Sequence, residues 1–198
     1  MHNKNITKKG FTLIELLVVI AILAVLMVVV VITLNPSELL KQSRDSNRLS
    51  DMASLKTAIS LYQTDVATTT NLATAGVCYA SAVGATCVNT AGVGQFVTVS
   101  SVTSSTNRTV AGSGWIPVNL SLISSGAPLS QLPLDPVNNV TPNFYGFEAS
   151  GTSAFKLTMT PESVKFKVGG GADVTTNDGG NFTSTYETGP GVNGATGL

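Results

Sequence analysis

Residues 11–34, FTLIELLVVIAILAVLMVVVVITL, carry one charge, Glu15, in an otherwise apolar run. At about 1.5 Å of rise per residue, a helix over this run is roughly 36 Å long, enough to cross an apolar layer of about 30 Å with some tilt. Lys8 and Lys9 stand just before it and predict that this end stays cytoplasmic. An ordinary secretory signal has a shorter apolar region that ends in a small-x-small cleavage site, and this run is too long for that. A plain membrane anchor explains the length and the lysines but not Glu15. An unpaired carboxylate near the start of a span costs about 1–3 kcal/mol or more, depending on depth.

One arrangement uses every feature. The stretch KKGFTLIELLVVIAIL, residues 8–23, closely resembles the class III signal of type IV pilins and pseudopilins. The basic pair, the Gly-Phe junction, the Glu spacing and the long apolar run occur together. The resemblance implies that a prepilin peptidase cuts between Gly10 and Phe11 and methylates the new Phe11 amine. It implies that Glu15, at the fifth mature position, pairs in a filament with the N-terminal amine of a neighbouring subunit. Two opposite charges attract far more strongly in a low-dielectric helix bundle than in water, and each alone is costly there. The other reading of Glu15 pairs it with its own Phe11 amine before assembly, with Thr12 helping to solvate that end. Gly10 has no Cβ, which lets the backbone lie extended and close to a protease.

Asn35-Pro36 interrupts the helical pattern, because proline inside a helix removes a hydrogen bond and clashes with the preceding turn. We expect one long helix with a kink at Pro36. The alternative is a fresh helix with Asn35 as its cap and Pro36 in the first helical position. Residues 38–65 read as amphipathic: Leu49, Met52, Leu55, Ile59, Tyr62 and Val66 follow steps of three and four. Arg44, Asp45, Arg48, Asp51 and Lys56 fall mostly off that stripe. Arg48 and Asp51 are weighed as subunit contacts against a solvated face with local charge pairs, and the solvated face is preferred. Residues 48–65 resemble the corresponding helix of bacterial pilin-like proteins.

Between Asp65 and Asp135 the single charge is Arg108. Residues 67–114 read as a Thr/Ser/Gly-rich loop region with one or two short strands, for example over 96–102. Long loops of this kind are often functional. Cys78 and Cys87 lie nine positions apart. In an exported domain a disulfide is the default reading of such a pair, and two free thiols the other. Residues 115–168 carry a second resemblance, to pseudopilin-like proteins: Leu132-Pro-Leu-Asp135-Pro136, then aromatic runs over 144–148 and 155–160, Pro161-Glu162-Ser163, and a run over 164–168. These runs alternate as antiparallel strands should. Asp135 is read as shaping a turn. The tail, 169–198, is Gly-rich and is expected to be flexible. Major pseudopilins of type II secretion bind calcium in a Gly/Asp-rich C-terminal loop. That loose resemblance makes Asp173 and Asp178 candidate oxygen ligands, against a solvated tail with no cofactor.

The expected fold class is therefore α+β and pilin-like. A long N-terminal helix, membrane-spanning in its first half and amphipathic in its second, packs on a small antiparallel sheet of about three to four strands. The expected boundaries are a leader at 1–10, the transmembrane assembly helix at 11–34, its amphipathic continuation at 35–66, the loop region at 67–114, the sheet at 115–168 and the tail at 169–198.

Removing residues 1–10 takes away Lys4, Lys8 and Lys9 and no acid, leaving eight basic against eleven acidic side chains. That mild acidity is no strong nucleic-acid signature. The single histidine, His2, falls in the leader, and no catalytic residues form a recognisable motif, so an enzyme is not expected. The resemblance implies a structural subunit, major-pilin-like, of a type IV pilus or related filament. The alternative is a pseudopilin or minor pilin of a type II secretion or DNA-uptake machine, and a remote one is a membrane-anchored enzyme. The implied partners are copies of the chain itself, the prepilin peptidase, an inner-membrane assembly platform with its ATPase, and the inner membrane before assembly. The implied location is the cell membrane first and an extracellular pilus or fimbrium afterwards.

Overall fold

The computed structural model describes residues 10–66, 72–87, 99–140, 142–151 and 154–190. The leader residues 1–9 lie outside them, as do 96–98 of the run expected as a strand and 191–198 of the tail. The chain divides into two compact units, Met1–Leu39 and Leu40–Leu198.

In the first unit, helix α1 spans Leu13–Leu34, and none of its residues is buried by protein. It is the one helix among the described residues long and apolar enough to cross a membrane. It ends at Asn35, which takes the left-handed conformation (φ 42°, ψ 72°) that short polar residues tolerate at a helix end. Helix α2 then begins at Pro36 and runs to Asp65. The expected single kinked helix is therefore two helices. Asn35 ends one and caps the next: its side-chain oxygen and its carbonyl both accept from the Glu38 N–H, at 3.4 and 3.0 Å. Pro36, in the first helical position, lacks only an N–H that would have had no helical partner.

In the second unit, α2 packs on a five-stranded sheet with strand order β2-β1-β3-β4-β5. The strands are β1 Val77–Ala80, β2 Ser101–Ser104, β3 Gly146–Ser150, β4 Ala154–Met159 and β5 Tyr186–Thr188. The layout is α+β and pilin-like, but the sheet is mixed, because β1 and β2 run parallel. The centre is antiparallel: Phe147 faces Leu157, Glu148 faces Lys156 and Ala149 faces Phe155. Met52, Leu55, Ile59 and Tyr62 of α2 bury against Phe147, Phe155, Leu157 and Met159, with Trp115, Ile116 and Leu120 from the intervening loops. Burying each such side chain contributes about 1.5–3 kcal/mol.

Two expected segments differ. Residues 164–168 form turns rather than a strand, with Val164 and Val168 exposed. The edge beside β4 that such a strand would fill is taken by β5, from within the segment expected to be a flexible tail. Over 169–190 that segment is part of the domain, with Thr175, Thr185 and Glu187 buried. It covers the sheet face opposite α2, so Glu148, Lys156, Thr158 and Glu187 are buried too.

Candidate processing and assembly site

The first turn of α1 carries the junction. Gly10 is exposed, and a Cβ placed there would meet nothing within 4 Å. Phe11 is 88% exposed. Thr12 is the N-cap of α1, with extended backbone (φ −83°, ψ 152°), and Glu15 is the third helical residue. The two close a capping box. The Glu15 N–H donates to Thr12 Oγ1 at 3.3 Å, while the Thr12 N–H and hydroxyl donate to Glu15 Oε2 at 2.8 and 2.7 Å. Such a box satisfies helix-end donors that otherwise lack partners. It also answers how an apolar helix tolerates its one carboxylate: the charge sits in the first turn, held by donors three residues away.

In the second unit, a buried charge cluster anchors α2. Arg48 is fully buried. Its Nε and Nη2 donate to the two oxygens of Asp135 at 2.6 and 2.8 Å, and its Nη1 donates to Asp45 at 2.7 Å and to Glu162 at 2.9 Å. Bidentate Arg–carboxylate geometry of this kind is both strong and orientation-specific. Asp45, also fully buried, accepts in turn from the Glu162 and Ser163 N–H groups at 2.9 and 2.7 Å. Arg44 Nε adds a 2.6 Å bond to Glu162. The helix is thus tied to both turns that flank β3 and β4, Leu-Pro-Leu-Asp135-Pro and Pro-Glu162-Ser. Asp135 does shape its turn, accepting from the Val137 and Asn138 N–H groups at 2.8 and 3.2 Å, but it is also the counter-ion of Arg48.

Burial opposes the charge on Asp45, yet the Ser163, Glu162 and Arg48 hydrogen bonds hold its carboxyl below the ordinary aspartate value. Burial likewise opposes the charge on Glu162, but Arg44 and Arg48 outweigh it and hold its carboxyl below the ordinary glutamate value. Asp51, expected on a solvated face, accepts the Tyr145 hydroxyl at 2.7 Å, and burial raises its carboxyl above the ordinary value. The expectation that Arg48 lies on a solvated or subunit-contact face is therefore corrected. The sequence did hold a signal for it: stepping back from Met52 by four and then three positions continues the buried stripe onto Arg48 and Asp45.

The sulfurs of Cys78 and Cys87 are bonded, with Cα atoms 6.2 Å apart, and both residues are buried with Phe144, Ala80, Ala82 and Ala85 in a small second core. The bond closes the turn that leaves β1.

Asp173 and Asp178 each accept hydrogen bonds from nearby donors in their own segment. Asp173 accepts from the N–H groups of Gly169, Thr175 and Thr176 and from both threonine hydroxyls, at 2.8–3.2 Å. Asp178 accepts from the Gly180 and Glu187 N–H groups at 2.8 and 2.7 Å. Among the described residues, no three His, Cys, Asp or Glu side chains come together as a metal site.

An exposed apolar helix with one capped carboxylate in its first turn, ahead of a small α+β domain, fits a membrane-anchored precursor. Residues 7–31 match the family model of the prokaryotic N-terminal methylation motif, the class III signal peptide of type IV pilins. That motif implies cleavage by prepilin peptidase and assembly into a filament, and it belongs to structural rather than enzymatic proteins. No curated protein and no solved structure matches the chain.

Proposed function

We propose that this chain is cut between Gly10 and Phe11, methylated on the Phe11 amine, and polymerised through α1 as the major subunit of a type IV pilus or related surface filament. The observation that carries this reading is the capped Glu15 at the head of a helix with no buried residue. A helix so apolar needs lipid or other helices around it. In the membrane the Thr12 donors satisfy the Glu15 carboxylate. In a filament the free amine of a neighbouring Phe11 competes for the same oxygen, and a charged donor binds more strongly than neutral ones in a dry bundle. The exchange sets the axial register of each added subunit. Before assembly the chain sits in the cell membrane, and after assembly it lies outside the cell.

The test is deletion of the gene combined with antibody decoration of sheared filaments. Loss of surface filaments, and decoration of those from the parent strain, are expected of a major pilin. Filaments that persist undecorated while secretion or DNA uptake falls would assign the chain to the pseudopilins or minor pilins.

A further inference from the structure

The face of the sheet turned away from α2 carries a buried set of ionisable groups that filament assembly does not use. Lys156 lies on β4, between β3 and β5. Glu148 stands directly opposite it on β3. On the other side, Glu187 of β5 pairs with Thr158 and brings its Oε1 to 3.1 Å from Lys156 Nζ, with both side chains fully buried. The Phe182 ring lies 5.8 Å from the ammonium. Gly180 lies so close over Glu187 that any Cβ there would strike its carboxylate. The Phe182 N–H donates to Glu187 Oε2 at 3.0 Å and fixes the carboxyl group. Glu148 is 1% exposed, and its Oε2 has no hydrogen-bond partner.

We propose that Lys156 and Glu187 condense into an intramolecular isopeptide bond, with Glu148 relaying the proton. An amine held against a carboxyl group in a dry, fixed pocket gains the large advantage of an intramolecular reaction, provided a neighbouring acid can move protons. The Nζ–Cδ bond forms and one Cδ–O bond of Glu187 breaks. Two of the three ammonium protons leave with that oxygen as water and the third stays on the amide nitrogen. One ammonium proton passes directly to the Glu187 carboxylate across the 3.1 Å contact; Glu148 gives the departing oxygen its second proton, takes one from the nitrogen, and ends as it began. No oxidant, metal or outside reactant is needed. Burial, offset in part by Lys156, pushes the Glu148 carboxyl up to about 7, so it can hold or release a proton near neutrality. The bond would staple the three-residue edge strand β5, and with it the segment covering the sheet, to the centre of the domain.

The test is the mass of the full chain, extracted in detergent, unfolded and reduced. A mass one water molecule below that of the same chain without the bond is expected, with no tryptic cut after Lys156 and a branched peptide joining Lys156 to Glu187. Full mass with cleavage after Lys156 overturns the proposal, whether or not any variant folds. Lys156→Arg keeps the charge and is expected to restore full mass; loss of water retained in that variant would overturn the assignment. Glu148→Gln, with unchanged Trp115 fluorescence to show that the domain folded, is expected to leave the chain at full mass. Cross-linking unchanged in that variant would overturn the relay.

Discussion

The two halves of the molecule handle charge in opposite ways. Helix α1 carries one carboxylate and satisfies it within a single turn, through Thr12, three residues away. The second unit buries Arg48 and Asp45 together with Asp135, and joins Arg48 to Asp135 across 87 positions of sequence and Asp45 to Ser163 across 118. Lys156 and Glu187 are buried besides. A local solution leaves α1 free to exchange its partner, because breaking it disturbs one helical turn. A distributed solution fixes the domain, because Arg48 is held by three carboxylates, two of them remote in sequence. That difference suits the proposed passage of the helix from lipid into a filament while the domain stays unchanged.

The comparison can be broken most sharply at the junction. Gly10→Val is expected to abolish processing, leaving essentially all of the chain at precursor length by mass spectrometry. A Cβ at Gly10 meets nothing in the structure, so the loss would lie in recognition by the peptidase and not in folding. Arg48→Ala comes next. It strands Asp45, Asp135 and Glu162, and breaking a buried pair in this way costs about 3–5 kcal/mol. The expected result is a large drop in the denaturation midpoint of the full chain in detergent; a drop no larger than that of a surface substitution would mean the cluster does not hold the domain. Replacing Cys78 and Cys87 by serine frees a short loop, and the expected cost is about 2–3 kcal/mol in the same measurement. Smallest is Thr12→Val, which removes the cap and is expected to cost about 1 kcal/mol, read as faster amide exchange confined to the first turn of α1.

Acid should separate the halves as well. The Asp45 and Glu162 carboxyls lie below their ordinary values of 3.8 and 4.5 in the folded domain. The unfolded chain therefore takes up their protons first as pH falls. Their contribution is complete above those ordinary values and is lost as pH drops through the lowered folded ones. The domain's melting midpoint is expected to fall over that window, and Arg48→Ala should flatten the fall.

How far each half can be read from sequence follows the same division. The junction, α1 and the Met52–Tyr62 stripe rest on neighbours within a few positions, and periodicity reveals them. The break at Asn35 turned on one residue's left-handed backbone, which a Pro signal alone does not distinguish from a kink. Arg48 was half visible, lying on the stripe but read by its charge as solvated. β5 was hidden, because three residues in a Gly-rich segment carry no periodicity and become a strand only by pairing with β4. Lys156 and Glu148 alternate with apolar residues as solvent-facing positions do, and only the remote segment around Phe182 makes them buried.

The most direct measurement is the N-terminal mass of the chain recovered from purified surface filaments. A chain that begins at Phe11 and carries one added methyl group on its amine is predicted. Filaments that lack the chain, or hold it still joined to Gly10, would contradict assembly through a processed α1.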